Sequence, residues 1–301
     1  MGRHGTTVAS ARQGDNRAPD GGMLVRMRSS CALPAAVVFT AALASCAAKA
    51  SPIKGTIAHE IRDGFAHGQR TFDHGVWDGL LRRHVRADGR VDYWGFRRER
   101  ATLDRYLASV GAADLRSLGR NEQLALFINA YNACTVRTIL DGVTDDELPH
   151  SIRDLHDPWG RPTCFVAGDA LSLNDIEHHI LRAIFRDARI HAAINCASRG
   201  CPALAPAAFR GDRVTEQLDA RMRIMVADSS KVRVANGRLR LSRIFRWYRK
   251  DFTNPTFAGS GSSLVAVVRR NAPASLRTAI DALGPDPKIS FLPYDWTLNG
   301  L

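Results

Sequence analysis

The sequence predicts a single mixed α+β domain in which a central buried helix is surrounded by further helices and by short antiparallel strands in hairpins. Three features lead to this prediction. A long, almost uncharged helical pattern covers residues 121–140, and turn dipeptides join short apolar runs at Asp88-Gly89 and Asn236-Gly237. After residue 71 the sequence has neither repeats nor a long linker, and 45% of the 301 residues are apolar, which suffices for one sizeable core.

The individual elements follow from the period of the apolar residues and from the turn residues between them. Ser242 is expected to cap the helix that follows it. The predicted elements, in chain order, are a helix at 76–81, a hairpin at 84–93, helices at 103–110 and 121–140, a hairpin at 165–171, a helix at 174–185, a strand at 189–195, a hairpin at 231–241, helices at 243–248, 263–270 and 274–283, and a strand at 289–291.

The N-terminal part reads as an export signal. Residues 1–22 are polar and are expected to be disordered or to precede the true start, and 23–46 resemble a lipoprotein-type signal peptide. Arg26 and Arg28 precede an apolar stretch, which ends in Leu-Ala-Ser-Cys46. We expect lipid attachment at Cys46, residues 47–70 as a tether and the domain itself over 71–301; ordinary cleavage near residue 50 is the alternative. The predicted location is the periplasmic face of the cell envelope, with the membrane as a partner through the lipid anchor.

Composition argues against several classes of function. The formal net charge is +12, but the basic residues are spread along the chain without a clustered footprint, so nucleic-acid binding is not predicted. P-loop, dinucleotide-binding, GxSxG and HExxH motifs are missing from the sequence. Cys196 and Cys201 lack the spacing of a zinc site. No metal and no cofactor are therefore predicted.

Two amides lie on the predicted central helix. At 100° per residue Asn132 falls inside the apolar face and Asn129 at its edge. Buried amides need hydrogen-bond partners, so they either tie down neighbouring loops or orient a catalytic group.

Several reactive side chains lie close together in the segment 187–202, DARIHAAINCASRGCP. The helix 174–185 advances about 16–18 Å, and the strand 189–195 would return about 20 Å. If the two pack antiparallel, Cys196 lies near the helix N-terminus, where the dipole lowers a thiol pKa. His178 is then the better candidate base for Cys196, because His191 lies several residues back along the strand.

Each of these residues also has a structural interpretation. Glu177 fits a capping box with Asn174, and His178 can be a half-exposed surface residue. Cys196 is either a nucleophile with Cys201 as a neighbouring or resolving thiol, or the two close a small disulfide loop. Export to a compartment where disulfides persist leaves both alternatives open.

Several blocks of the chain resemble the DUF547 family, in particular its bacterial lipoprotein-like members. They are LALFINAYNA from Leu124, SLNDIEH from Ser172, RIH from Arg189, NCASRGCP from Asn195, LSRIFRWY from Leu241 and FLPYDW from Phe291. The resemblance spans roughly 72–301 and implies a domain of unknown function. It draws attention to the residues in these blocks, which include His191, Asn195 and Ser198. Cys134 departs from the aliphatic residue expected there and is interpreted as a packing residue.

Two hypotheses follow. In the first, the protein is a thiol-dependent hydrolase or acyl transferase that acts on a peptide or amide. Cys196 is its nucleophile, His178 its base, Glu177 or Asn129 the orienting group, and Arg199 binds an anionic substrate. In the second, the protein is a non-catalytic envelope lipoprotein whose Cys196–Cys201 loop binds a small-molecule, peptide or envelope partner.

Overall fold

The computed structural model describes residues 55–301, and its architecture is α+β, as predicted. The α-helices are α1 (Gly55–His67), α2 (Gly75–His84), α3 (Tyr93–Arg98), α4 (Arg100–Gly111), α5 (Arg120–Asp141), α6 (Val214–Ala227), α7 (Arg243–Trp247), α8 (Arg249–Thr253), α9 (Pro255–Ala258), α10 (Leu264–Asn271) and α11 (Ala274–Asp281). The strands are β1 (Cys164–Val166), β2 (Asp169–Leu171), β3 (Val232–Ala235), β4 (Arg238–Leu241) and β5 (Ile289–Phe291). The signal peptide and Cys46 lie outside the described residues.

Helix α5 forms the centre of the domain, because nearly all of its middle residues are buried. The buried Gln123 shows how its polar side chains are accommodated: Nε2 donates to the carbonyls of Ile61, Leu115 and Leu118 at 2.8–3.2 Å. The prediction of a helix over 121–140 is confirmed to within one residue at each end.

The expected tether is helical and packed from Gly55 onward. Ile57 and Ile61 of α1 are fully buried in the core around α5. Their spacing of four residues places them on one face of the helix, so the compact domain starts before residue 71.

The hairpins predicted at 165–171 and 231–241 are both present, and the second has the turn dipeptide that the sequence indicates. Strands β1 and β2 pair around Ala167-Gly168, and β3 and β4 pair around Asn236-Gly237, where both turn residues have positive φ angles of 53° and 66°. Positive φ at both central residues is the requirement of a type I′ turn, which Asn-Gly meets. Strand β5 then adds to β4 in parallel, which gives a sheet in the order β3-β4-β5.

Cys134 is not merely a packing residue. Its sulfur forms a disulfide with Cys164, which joins α5 to β1. Both cysteines are buried, at 5% and 1% exposure. The expectation of a packing role was wrong because the pairing partner lies 30 residues away and cannot be read from local spacing.

The segment after residue 174 differs most from the prediction. Asp175–Phe185 is a π-helix, whose i→i+5 hydrogen bonds include that from the Arg186 N–H to the Leu181 carbonyl. The predicted strand 189–195 is wrong: Ala188–Ala192 is a 3₁₀ helix. It packs mainly against the π-helix, α6 and α9, which are all helical.

Candidate functional site

Cys196 and Cys201 are joined by a disulfide, with their Cα atoms 6.3 Å apart. The loop that they close contains Ala197, Ser198, Arg199 and Gly200, of which Arg199 is exposed. Cys196 is half-buried, whereas Cys201 is 8% exposed. Of the two alternatives that the sequence left open, the structure contains the disulfide-closed loop.

Asparagine side chains hold the chain on both sides of this loop. The Asn132 side chain donates to the Ala193 carbonyl (3.0 Å) and accepts from the Asn195 N–H (2.9 Å). Asn195 in turn accepts from the Ala197 N–H at 2.8 Å and donates to the carbonyl of Pro202 at 2.7 Å. These amides supply the hydrogen bonds that an irregular buried segment cannot obtain from secondary structure.

Asn129 binds a different segment. Its side-chain amide donates to the Phe209 carbonyl at 2.7 Å and accepts from the Phe209 N–H at 3.0 Å. Asn129 thus holds a loop against α5, and within residues 55–301 its side chain forms no hydrogen bond to Cys196, His178 or Glu177.

The closing segment of the chain forms the other side of the loop. The N–H groups of Arg199 and Gly200 donate to the carbonyls of Thr297 (2.8 Å) and Asp295 (2.7 Å). A Cβ at Gly200 would lie 2.7 Å from the Tyr294 ring, so only glycine fits there. We call residues 196–201 together with 294–299 the disulfide ledge.

Hydroxyl and amide donors surround the two sulfurs. The Tyr294 hydroxyl donates to Sγ of Cys201 at 3.2 Å and lies 3.3 Å from Sγ of Cys196. The Ser198 hydroxyl lies 3.3 Å from the same Cys196 sulfur, and the Cys196 N–H donates to Sγ of Cys201 at 3.1 Å. Burial raises the pKa of Tyr294, with Glu177 adding to the rise, so its hydroxyl stays protonated and remains a donor at neutral pH.

A buried ionic network lies next to the π-helix. Asp251 of α8 accepts from Arg182 Nε at 2.6 Å and Nη2 at 2.9 Å, and from His191 Nε2 at 2.8 Å. Burial alone would raise the pKa of Asp251, but the hydrogen bonds from His191 and Arg182 outweigh it and hold the pKa well below its usual range. The His191 ring also stacks on Tyr248, with centroids 3.8 Å apart.

His178 belongs to this network rather than to the disulfide. Its Nδ1 accepts from Arg182 Nη1 at 3.1 Å and lies 4.0 Å from Glu177 Oε1. Burial lowers the pKa of His178, and the Arg182 charge lowers it further, against the opposing effect of Glu177. The imidazole is therefore neutral at pH 7, with the acceptor nitrogen already occupied by Arg182.

Glu177 is buried but does not cap the helix. The predicted Asn174–Glu177 capping box is wrong, because Ser172 and Asp175 form the reciprocal pair: the Ser172 N–H donates to Asp175 Oδ2 (2.9 Å) and the Asp175 N–H to Ser172 Oγ (3.0 Å). Glu177 instead accepts from the Tyr131 hydroxyl at 3.3 Å.

The structure thus brings the predicted residues together in two groups. Cys196, Ser198 and Cys201 contact Tyr294, while Glu177, His178 and His191 lie in the network around Arg182 and Asp251. Across residues 55–301 no hydrogen bond or ion pair joins Cys196 to His178 or Glu177. Burial and the charge of Glu177 raise the pKa values of both Tyr248 and Tyr294.

An aromatic cluster continues from Tyr294 to the surface. The rings of Trp247 and Trp296 lie 4.8 Å and 4.6 Å from Tyr294, and Trp159 lies 6.1 Å from Trp296. Trp247 is 45% exposed, and the Arg153 guanidinium lies 5.1 Å from the centre of the Trp296 ring.

Sequence reasoning missed Arg182, Asp251, Tyr248 and Tyr294 as site residues. Arg182 could have been found from its spacing, because it follows His178 by four residues and side chains at that spacing are neighbours on a helix. Tyr248 and Tyr294 stood inside the two C-terminal blocks that carry the family resemblance. Asp251 had no local signal, because its partners lie 60 and 69 residues away.

Between residues 55 and 301, no group of three or more His, Cys, Asp or Glu side chains could hold a metal ion. Over the same range, no helix combines the length and the apolar character that a membrane span requires.

These features define an α+β domain with a disulfide-closed loop beside a buried Asp–His–Arg network. Residues 115–224 match the family described as "Protein of unknown function, DUF547". The matched region runs from just before α5 to within α6 and contains Glu177, His178, Cys196 and Cys201, whereas Tyr294 and Asp251 lie beyond it. None of the curated proteins and none of the solved structures matches the chain.

Proposed function

We propose that this protein is a binding module of the cell envelope without hydrolase or acyl-transferase activity, and that the disulfide ledge with its aromatic cluster is the binding edge. The observation that carries the proposal is the continuous surface formed by Trp247, Tyr294 and Trp296 beside the Cys196–Cys201 loop. Exposed aromatic side chains that are held rigidly are the usual anchors of binding surfaces.

The charges around the cluster specify the kind of partner. Arg153 lies over Trp296, and Arg199 is exposed in the disulfide loop. Guanidinium groups next to aromatic faces favour carboxylates that are accompanied by aromatic or apolar groups. The partner is therefore an acidic peptide segment that contains aromatic side chains.

Binding can be tested with a defined probe, the random copolymer of glutamate and tyrosine, with polyglutamate as the charge-only reference. We expect the copolymer to bind more tightly than polyglutamate and the affinity to fall with salt. Trp247→Ala should weaken copolymer binding by about tenfold or more, as expected for an anchor residue. Trp94→Ala is the control for the loss of a tryptophan elsewhere, because Trp94 is half-buried beneath Arg97 and lies on α3, outside the aromatic cluster.

Equal binding by both variants, or equal binding of the two polymers, would contradict the proposal. A surface that binds neutral glycans instead would bind neither polymer and would show no dependence on salt.

The envelope location rests on the signal-like segment 23–46 and on Cys46. Metabolic labelling with an alkyne fatty acid should label the wild type and leave Cys46→Ser unlabelled. An unlabelled, fully soluble wild type would remove the lipid anchor from the proposal.

One observation favours the second candidate, a thiol-dependent hydrolase or acyl transferase. The hydroxyls of Tyr294 and Ser198 both lie 3.3 Å from the Cys196 sulfur, where they would stabilise a thiolate after reduction. This candidate ranks second because a nucleophile also needs a base within hydrogen-bond reach. Rapid alkylation of Cys196 by iodoacetamide near pH 7 in the reduced protein, together with peptide or amide hydrolysis that Cys196→Ser abolishes, would establish it. Slow alkylation after reduction would exclude it.

A further inference from the structure

The two disulfides of the described chain differ sharply in their surroundings. Cys134 and Cys164 are both buried, and the Ala130 carbonyl oxygen lies 3.9 Å from the Cys164 sulfur. A carbonyl oxygen accepts hydrogen bonds and gives no stabilisation to a thiolate. Cys196 is half-buried, and the sulfurs of its disulfide lie among donors.

Each sulfur of the loop has two polar neighbours within hydrogen-bond distance, but only the Cys201 sulfur has a backbone donor among them. Sγ of the buried Cys201 receives hydrogen bonds from the Cys196 N–H at 3.1 Å and from the Tyr294 hydroxyl at 3.2 Å. Both would strengthen if that sulfur became negatively charged, because hydrogen bonds to ionised groups are about twice as strong as neutral ones. Cys196 is the more exposed residue of the two. Its sulfur lies 3.3 Å from the Ser198 and Tyr294 hydroxyls, which also hydrogen-bond to each other at 2.9 Å, so it has no donor that the backbone holds in place. The residue that is easier to reach and the sulfur with the fixed donor are therefore different.

This asymmetry is the requirement for directional thiol–disulfide exchange. An attacking thiolate needs access to one sulfur, and the reaction is faster when the other sulfur leaves as a stabilised thiolate. We infer that Cys196–Cys201 is an exchange-active disulfide that oxidises thiols, with Cys196 as the sulfur that is attacked and Cys201 as the leaving thiolate.

A substrate thiolate forms a bond to Sγ of Cys196, the Cys196–Cys201 bond breaks, and its electron pair remains on Cys201. A second substrate thiolate then attacks the substrate sulfur of the mixed disulfide and releases Cys196. Two substrate thiols become one substrate disulfide, and their two electrons and two protons end on Cys196 and Cys201.

Arg199 supports the approach of the substrate. It is exposed within the loop, between the two cysteines, and carries a positive charge that attracts a thiolate. The substrate class is therefore a thiol that is ionised or lies next to acidic groups, such as glutathione or an acidic cysteine-containing peptide.

The rate of opening tests the inference directly. The oxidised protein is mixed with reduced glutathione, samples are quenched with acid and alkylated, and mass spectrometry reports each disulfide separately. We expect Cys196–Cys201 to open at least tenfold faster than Cys134–Cys164, which serves as the internal control. Tyr294→Phe should slow opening of the loop by about tenfold, because the leaving thiolate loses one charge-assisted hydrogen bond.

Tyr106→Phe is the matched control for the loss of a buried hydroxyl, because the Tyr106 hydroxyl contacts His74 and neither sulfur. It should leave the opening rate unchanged. Equal rates for the two disulfides, or no effect of Tyr294→Phe in a variant whose circular dichroism spectrum is native, would overturn the inference.

The direction of attack is tested with two single-cysteine variants of the loop. With oxidised glutathione, Cys201→Ser should accumulate a mixed disulfide at Cys196 faster than Cys196→Ser accumulates one at Cys201. The opposite order would refute the assigned roles. The proposed peptide binding is measured on the oxidised protein, so a failure of exchange and a failure of binding are separate outcomes.

Discussion

Replacing Asp251 with asparagine tests whether the buried network holds the π-helix, the 3₁₀ helix Ala188–Ala192 and α8 together. The carboxylate accepts two bonds from Arg182 and one from His191, and its side chain is 6% exposed. An asparagine has almost the same shape, but only one oxygen to accept these bonds, and its NH₂ group would face donors.

The expected loss in the free energy of unfolding follows from the charge that the substitution leaves partly buried. Asp251→Asn leaves the Arg182 guanidinium, 28% exposed, without its counter-charge and removes at least one of three short hydrogen bonds, because Oδ2 accepts two of them and Oδ1 one. Breaking a buried ion pair from one side costs about 3–5 kcal/mol. We expect a loss of that size in the free energy of unfolding at pH 7.

Urea denaturation followed by far-UV circular dichroism measures this loss as a lower midpoint at an unchanged slope. Asp281→Asn is the matched control: Arg269 donates to Asp281 with the same two distances, 2.6 and 2.9 Å, on the exposed surface. The control should leave the midpoint unchanged within error. If Asp251→Asn shifted the midpoint no more than the control does, the network would not hold these elements together.

The pH dependence of the free energy of unfolding provides a second test of the network. Because the pKa of Asp251 is lower in the folded than in the unfolded protein, the unfolded chain binds the extra proton first on acidification. The stabilisation is thus complete above the usual carboxyl pKa of about 4 and is lost as the pH falls below it. The difference between wild type and Asp251→Asn should shrink over the same range.

Two further predictions concern other buried groups. Burial lowers the pKa of His74 to about 4, with a smaller contribution from Arg210 against the opposing effect of Asp73, so the unfolded chain binds the proton first below pH 6.5. In the wild type, this proton uptake should lower the free energy of unfolding by up to about 1.4 kcal/mol per pH unit as the pH falls from 6.5 to 4. His74→Phe should abolish that contribution, which urea midpoints measured across this pH range would show. A variant with the same pH profile as the wild type would contradict the prediction. Replacing Cys134 and Cys164 together by serine should cost about 3–4 kcal/mol, because their disulfide closes a 30-residue loop. A thermal midpoint equal to that of wild type would show that the cross-link does not stabilise the fold.

The elements that the sequence predicts well are those whose signal is local. Helix α5 has its full apolar pattern within one segment, and the hairpin β3–β4 is specified by Asn236-Gly237. Ser242 caps α7 as expected, with its hydroxyl accepting from the Ile244 N–H at 3.3 Å. In these cases neighbouring residues alone determine the backbone conformation.

The segment 189–195 shows why the rest was not predictable. Its alternating apolar residues are typical of a strand, but its backbone groups are bound by a side chain of α5: Asn132 binds the Ala193 carbonyl and the Asn195 N–H. Alternating apolar residues indicate which side chains are buried, but they do not indicate which groups form hydrogen bonds with the backbone. The contacts of Cys196 with Tyr294 and of His191 with Asp251 likewise depend on residues 98 and 60 positions away.

The order in which the disulfide ledge is built has a consequence for biogenesis. Ser198 and Tyr294 are separated by 96 residues, so a chain that emerges from its N-terminus exposes all four described cysteines long before the C-terminal half of the ledge exists. Four thiols admit three pairings, and the native one must form in a chain that still lacks the segment against which residues 196–201 pack. Correct pairing of the four cysteines therefore depends on α5 and β1 bringing Cys134 and Cys164 together early, which leaves Cys201 as the remaining partner for Cys196.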